Sequence, residues 1–156
     1  MALSTTQSIW RSGGGDQTRT AYCGSGVMAA QFYIADDSVS GNVKVSSAAN
    51  AANLILPAGA VVLSVAVTTI DGTASAAIDL GTTGYTSGTA DGNAIAAALP
   101  VDAAGTTSIG SIVTGTALTE MSYVTSADNG TSAGGDPVAG YITYFVVDPL
   151  VGQQNV

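Results

Sequence analysis

Three aspartates lie close together in a segment rich in glycine, threonine and serine, which reads IDGTASAAIDLGTTGYTSGTADGN over residues 70–93. The carboxylates of Asp71, Asp79 and Asp91 offer the oxygen ligands that calcium prefers. Their spacing does not match an EF-hand loop, and no glycine-aspartate nonapeptide repeat is present. Asp-Gly is also a preferred pair for the centre of a tight β-hairpin turn. We therefore predict a structural turn at Asp71 and Gly72, and no metal site in this segment.

The chain has few side chains suited to catalysis. It contains no histidine, and Cys23 is its only cysteine, so no serine or cysteine nucleophile has an imidazole base. Zinc would lack its usual histidine and cysteine ligands. A pair of carboxylates that hydrolyses a glycosidic bond remains an open alternative, because the distance between two carboxylates depends on the fold. Glu120 is, however, the only glutamate. We expect a protein that is not an enzyme and that uses no cofactor.

Charge is scarce and mostly negative. Arg11, Arg19 and Lys44 stand against eleven acidic residues, which gives a net charge of −8. Direct binding of nucleic acid is not expected, because phosphate contacts need clustered lysine and arginine. Charged residues make up only 9% of the chain. The surface must therefore be covered by small polar residues and alanine, or in part by other subunits.

Neither a membrane span nor secretion is expected. The segment between Lys44 and Asp71 is uncharged and long enough to cross a bilayer as a helix. Pro57 and Gly59 interrupt it, however, and its flanks are rich in alternating β-branched residues, which are typical of strands. The first 17 residues lack the basic and then apolar pattern of a signal peptide.

Alternating patterns predict an all-β fold. Residues 27–34, 109–113, 120–125 and 140–148 read as strands, and the last of these is apolar on both faces, as expected of a central or interface strand. Short strands separated by glycine-rich turns are typical of an antiparallel β-sandwich or a jelly-roll-like domain. We predict one such domain over residues 19–156, preceded by an extended N-terminal arm over residues 1–18.

Residues 61–80 are predicted to form a β-hairpin that turns at Asp71-Gly72. In a type I′ turn, Val67 would face Ala76, Val65 would face Ile78 and Leu63 would face Leu80, which puts the strong apolar residues on one face. Further on, AIAAALP at residues 94–100 is interpreted as one or two helical turns that end at a proline.

Two sets of residues are candidates for an interface. Ile9, Trp10 and Arg11 lie in an arm that is otherwise too polar to fold alone, and tryptophan and arginine are enriched at interface hot spots. The alternative is that the tryptophan packs on its own sandwich. The aromatic residues of the last strand form the second set: Tyr141, Tyr144 and Phe145.

The segment LPAGAVVLSVAVTTIDGTASAAIDLGTTG at residues 56–84 resembles virion proteins of tailed bacteriophages, especially small head decoration or cement proteins. In both, a Pro-Ala-Gly turn leads into a valine-rich strand, and a second strand ends in a run similar to Asp-x-Gly-Thr. The resemblance implies a protein made in the bacterial cytoplasm that binds the major capsid protein on the outside of the virion. It also implies a symmetric homo-oligomer, most simply a trimer.

A carbohydrate-binding or host-adhesion module of a phage fibre or cell surface is the alternative function. Aromatic side chains exposed around a groove, with Tyr85 or Tyr123 among them, would favour it.

Overall fold

A computed structural model of the chain describes residues 27–72, 76–105, 107–110, 115–129 and 135–147, with only the backbone described at 108–110. These residues form nine β-strands and no helix. The strands are β1 (Met28–Ile34), β2 (Gly41–Asn42), β3 (Ile55–Leu56), β4 (Ala60–Thr69), β5 (Ala77–Gly84), β6 (Ala90–Pro100), β7 (Thr107–Gly110), β8 (Ser122–Asp128) and β9 (Val138–Val146).

The strands form two antiparallel sheets. One sheet has four strands in the order β1-β9-β4-β7, and the other has the order β2-β8-β5-β6, with β3 also paired to β8. The all-β antiparallel fold predicted from the alternating patterns is confirmed. The strand predicted over residues 140–148 corresponds to β9, which is central because it pairs with β1 on one side and β4 on the other.

One hydrophobic core joins the two sheets. Side chains that alternate along each strand point towards it, because successive residues of a strand face opposite sides of the sheet. The four-stranded sheet contributes Phe32, Ile34, Val65, Val67, Val138 and Ile142. The five-stranded sheet and its flanking residues contribute Val43, Leu56, Ile78, Leu80, Ile95, Leu99 and Val124.

The predicted hairpin over residues 61–80 is wrong. Its two halves, β4 and β5, belong to different sheets, so Val65 pairs with Ile142 and Ile78 pairs with Leu99. The predicted apolar residues do face the core, but from opposite sides of the sandwich. Leu63 is an exception at 43% exposed, because the register of β4 shifts between residues 62 and 64.

Asp71 and Gly72 follow β4 at the point where the chain leaves the first sheet. Neither residue has a positive φ among the described residues, so the type I′ conformation predicted for them is wrong. A Cβ on Gly72 would lie 3.0 Å from the backbone nitrogens of Ala103 and Ala104, which is a tight approach. A structural role for the pair stays a prediction.

The helical turns predicted for residues 94–100 are also wrong, because this segment belongs to β6. The register of β6 against β5 is interrupted twice, and Ala98 takes a φ of 50° at one of these irregularities. A Cβ on Gly81 would lie 2.6 Å from the carbonyl oxygen of Gly92. The glycine in β5 therefore lets the irregular backbone of β6 pass close above it.

Candidate binding surface

On the outward side of the four-stranded sheet, the described residues of the four strands have no charged side chain, and the exposed Lys44 adjoins its edge as the bridge partner of Tyr33. We call this side of the sheet the outer face. The cross-strand register aligns its residues in rows, and each row alternates with a row that points into the core. The outer face comprises Ala29, Gln31, Tyr33, Val61, Ser64, Ala66, Thr68, Thr107, Ala139, Tyr141, Thr143 and Phe145.

A shallow hollow of about 250 Å³ lies in the middle of the outer face. It is lined mainly by small side chains, with Gln31 and Tyr141 as the larger ones. Hydroxyl groups link neighbouring strands on this face: Thr68 and Thr107 lie 3.0 Å apart, and Ser64 is hydrogen-bonded to Thr143. Because its four strands carry no described charged side chain that would lose its water, this face suits contact with another protein.

The three aromatic residues predicted for an interface do not share one face. Tyr141 is 53% exposed on the outer face, and Phe145 lies on the same side, partly buried. Tyr144 points the other way and packs against the hydrophobic core. Ile9, Trp10 and Arg11 lie outside the described residues.

The three aspartates that first suggested a calcium loop each bind nearby backbone or side-chain donors. One Asp79 oxygen accepts hydrogen bonds from the backbone N–H of Ala98 at 2.8 Å and from the Asn129 amide at 2.5 Å. Asp71 accepts from the N–H of the next residue at 3.1 Å. In the described ranges, no three acidic, histidine or cysteine side chains come close enough to hold a metal ion.

A second surface lies at the turn that follows β5. A groove of about 360 Å³ runs between this turn and the residues before β8, and it contains the carboxylates of Asp91 and Glu120. At the same end of the five-stranded sheet, the rings of Tyr85 and Tyr123 are tilted against each other with their centroids 5.4 Å apart, and neither residue lines the groove. We use the name tyrosine groove for this end of the sheet, which carries both the groove and the ring pair.

Glu120 binds the backbone of the turn that follows β5, a role that its sequence context does not reveal. Its Oε2 accepts hydrogen bonds from the backbone N–H groups of Thr86 at 2.8 Å and Ser87 at 3.2 Å. The carboxylate occupies the space that a side chain on Gly84 would need. Hydrogen bonds from the Ser87 side chain and then from the Thr86 backbone lower the pKa of Glu120 below its ordinary value of 4.5.

This lowered pKa predicts a pH-dependent contribution to stability. Because the folded pKa is lower than the unfolded one, the contribution is present above the unfolded value of about 4.5 and is lost as the pH falls through the folded value. Glu120→Gln should therefore lower the melting temperature at pH 7, and its difference from the wild type should shrink below pH 4.5. Asp102→Asn, at an exposed carboxylate, is the control and should follow the wild-type curve. A constant difference for Glu120→Gln across this range would contradict the account.

Among the described residues, no helix is long and apolar enough to cross a membrane. The uncharged segment between Lys44 and Asp71 instead contains the strands β3 and β4.

Comparison with solved structures finds similar folds in three bacteriophage capsids. A chain in the capsid of Ralstonia phage GP4 matches with a TM-score of 0.56 and 18% identity, over 86% of this chain and 94% of that chain. A chain in the acid-stable capsid of Helicobacter pylori bacteriophage KHP30 matches with a TM-score of 0.48 and 15% identity, over 77% and 87%. A chain in the cyanophage Pam1 capsid matches with a TM-score of 0.44 and 24% identity, over 80% and 87%.

The Ralstonia phage GP4 match shows that the fold is shared along nearly the whole of that chain. Because the aligned segment is 86% of this chain and 94% of the other, the two chains are similar in length. No protein-family model matches the chain, and no curated protein matches it.

Proposed function

We propose that the protein is a virion structural protein of a tailed bacteriophage, which binds the outer surface of the capsid as an oligomer and stabilises the shell. The observation that carries this proposal is the fold shared with a chain of similar length in the Ralstonia phage GP4 capsid. The resemblance of residues 56–84 to head decoration proteins supports the external position. No catalytic role is proposed.

The outer face is the surface proposed to contact the shell. Burial of apolar area contributes roughly 25 cal/mol per Å² before the costs of association. The described residues of the four strands have no charged side chain on this face, and Lys44 lies only at its edge. Each footprint can be weak, because several footprints on one rigid oligomer raise the effective concentration of the next contact. A trimer that touches several capsid subunits would in this way oppose their separation.

The proposed partner is therefore the major capsid protein, and the proposed location is the exterior of a virion assembled in the bacterial cytoplasm. Direct contact with the packaged genome is not part of the proposal. Lys44 is the only lysine or arginine in the part of the chain that the structure describes, so this part carries no basic patch for phosphates.

Addition of the purified protein to closed shells that lack it tests this function. The protein should co-sediment with the shells without any cofactor and should raise the temperature at which they rupture. Binding should persist from low to physiological salt, because screening weakens charge-driven contacts much more than apolar ones. Shells mixed with an unrelated acidic protein of similar size provide the control.

Absence of binding, or its collapse between low and physiological salt, would contradict this mechanism. Binding without any rise in rupture temperature would support attachment to the shell but not its reinforcement.

Carbohydrate binding is a second candidate function, favoured by one observation. The paired rings of Tyr85 and Tyr123 lie at the tyrosine-groove end of the sheet, and Tyr85 is 53% exposed. Exposed aromatic faces are suited to sugar rings. A glycan array separates the two functions: saturable binding that Tyr85→Ala abolishes would favour the adhesion module.

A further inference from the structure

The strand β1 has an open edge. Tyr33 exchanges both of its backbone hydrogen bonds with Lys44, with N–O distances of 2.8 and 3.1 Å, on the side away from β9. Backbone groups alternate in direction along a strand, so Ala29 and Gln31 present their N–H and C=O groups to this same side. No described strand or bridge pairs with these two residues there. Within the described residues, four backbone hydrogen-bonding groups are therefore left for a further strand.

The other sheet edges in the described part of the chain are protected in ways that β1 is not. The strand β7 has four residues, and β2 and β3 have two each. The strand β6 is long, but its register is interrupted twice and it ends at Pro100. Short length, irregular pairing and proline all discourage pairing with another chain. In contrast, β1 has seven residues in continuous register, with no charge and no proline.

We propose that this open edge binds residues 7–11 of a neighbouring copy of the chain, which add a fifth strand to the four-stranded sheet. This mode of association, in which an extended segment pairs with a free strand edge, gains affinity from main-chain hydrogen bonds. The pairing would also cover Val27 and Met28, which are 65% and 40% exposed.

Charge favours the N-terminal segment as the occupant over a second copy of β1. Residues 1–26 contain Arg11 and Arg19 against Asp16 alone, a net charge of +1. The rest of the chain has Lys44 against the ten remaining acidic residues, a net charge of −9. Two copies of residues 27–156 both carry a net negative charge and therefore repel each other. The N-terminal segment has the opposite net charge and is attracted to this part of a neighbouring copy.

The length and composition of the N-terminal segment allow residues 7–11 to pair with a neighbouring copy. Trp10 is 17 residues before Val27, so an extended connection spans up to about 55 Å, which is enough to reach an adjacent copy. Ile9 and Trp10 have the strongest β-propensity in residues 1–16, and the glycines at 13–15 allow the chain to change direction afterwards. This inference concerns how copies of the chain associate and does not depend on capsid binding.

A matched pair of substitutions at Ala29 tests the edge in the full-length chain. Ala29→Pro removes an N–H that points away from β9, so the pairing of β1 with β9 should remain, whereas Ala29→Val keeps the N–H. In analytical ultracentrifugation the wild type and Ala29→Val should associate with rising concentration. Ala29→Pro should stay monomeric at concentrations at least about tenfold higher, with a similar melting temperature. A monomeric wild type, or a folded Ala29→Pro that associates like the wild type, would overturn the proposal.

The single tryptophan provides a second measurement, which decides the matter if Ala29→Pro does not fold. A bimane label is placed at Gln31→Cys in a chain that also carries Cys23→Ser and Trp10→Phe. Unlabelled chains that retain Trp10 should quench this label when they are added in excess, because only another copy can supply the indole. Unlabelled Trp10→Phe chains should not quench it, and a label at Asp102→Cys should be unaffected by either addition.

Absence of quenching by added Trp10 chains would overturn the proposal, even if the copies associate, since pairing between two β1 strands leaves the tryptophan elsewhere. A second labelled chain that retains Trp10 gives the comparison. Quenching within that chain, but none on addition of unlabelled Trp10 chains, would also overturn the proposal, because the segment would then pair with its own β1.

Discussion

Gly140→Ala is expected to leave little folded protein. Gly140 lies in β9 at the centre of the four-stranded sheet, and its missing side chain is replaced by the ring of Phe32. A Cβ at this position would lie 2.5 Å from Cζ of that ring and even closer to the carbonyl oxygen of Ala66. Neither neighbour can withdraw, because one is fully buried and the other is part of β4. We expect the free energy of unfolding to fall by about 3 kcal/mol or more.

Gly41→Ala is the matched control, because it adds the same methyl group to another glycine in a strand. A Cβ on Gly41 meets nothing within 4 Å, and its φ is not positive. The free energy of unfolding should change by less than about 0.5 kcal/mol. Chemical denaturation of both variants measures the difference. Equal stability of the two variants would show that the packing of Phe32 on Gly140 is not as described.

Tyr141→Glu is expected to abolish binding to capsid shells while the fold remains intact. Tyr141 projects from the outer face, where a charged side chain would lose its water on contact with the shell. A penalty of about 3 kcal/mol at one footprint weakens that footprint more than a hundredfold. An oligomer would make the same contact with the shell several times, so the loss of affinity at each footprint would be multiplied for the whole oligomer.

Tyr85→Glu is the control for this prediction, since Tyr85 and Tyr141 are both 53% exposed but lie on different surfaces. It adds the same charge at the tyrosine groove and should bind shells like the wild type. Both variants should melt within a few degrees of the wild type, because neither position is in the core. If only Tyr85→Glu lost binding, the contact with the shell would have to lie at the tyrosine groove instead of the outer face.

The alternation of residues along single strands predicted much of this fold. The strand β1 was recognisable because Met28, Ala30, Phe32 and Ile34 fall on one side of an extended chain. The strand β9 was recognisable because it carries aromatic or β-branched residues on both faces, as a central strand does. The inward side chains of β4 and β5 were also predicted correctly, except for Leu63 at the irregularity of β4. Period-2 patterns report which side of a strand is buried, and that information is local.

Which strands pair could not be read from the same pattern. Val65 and Ile78 would both be buried if they were neighbours in one hairpin. They are equally well buried in the observed fold, where they face each other from opposite sheets of the sandwich. The Asp-Gly pair between β4 and β5 suggested the hairpin, but the connection continues to the second sheet. The alanine-rich residues 94–100 were misread because their irregular pairing with β5 hides the strand period.

The candidate surface was only partly visible in the sequence. Tyr141 was chosen for its type, and its exposure depends on its position opposite Gln31 and Ala66 in the outer face. The hydrogen bonds that Glu120 accepts join residues more than thirty positions apart, a contact that no local motif marks. Close approaches at Gly81 and Gly140 likewise depend on neighbouring strands, although glycine within a strand is a general signal for them.

Footprinting of the tyrosine side chains on assembled shells tests most directly whether the outer face binds the capsid. Tyr141 and Tyr85 have the same exposure in the described structure, so hydroxyl radicals should modify them at comparable rates in the free protein. On shells, mass spectrometry should show Tyr141 protected several-fold while Tyr85 stays reactive. Unchanged reactivity of Tyr141 on saturated shells would contradict the proposed contact, and selective protection of Tyr85 would assign it to the tyrosine groove instead.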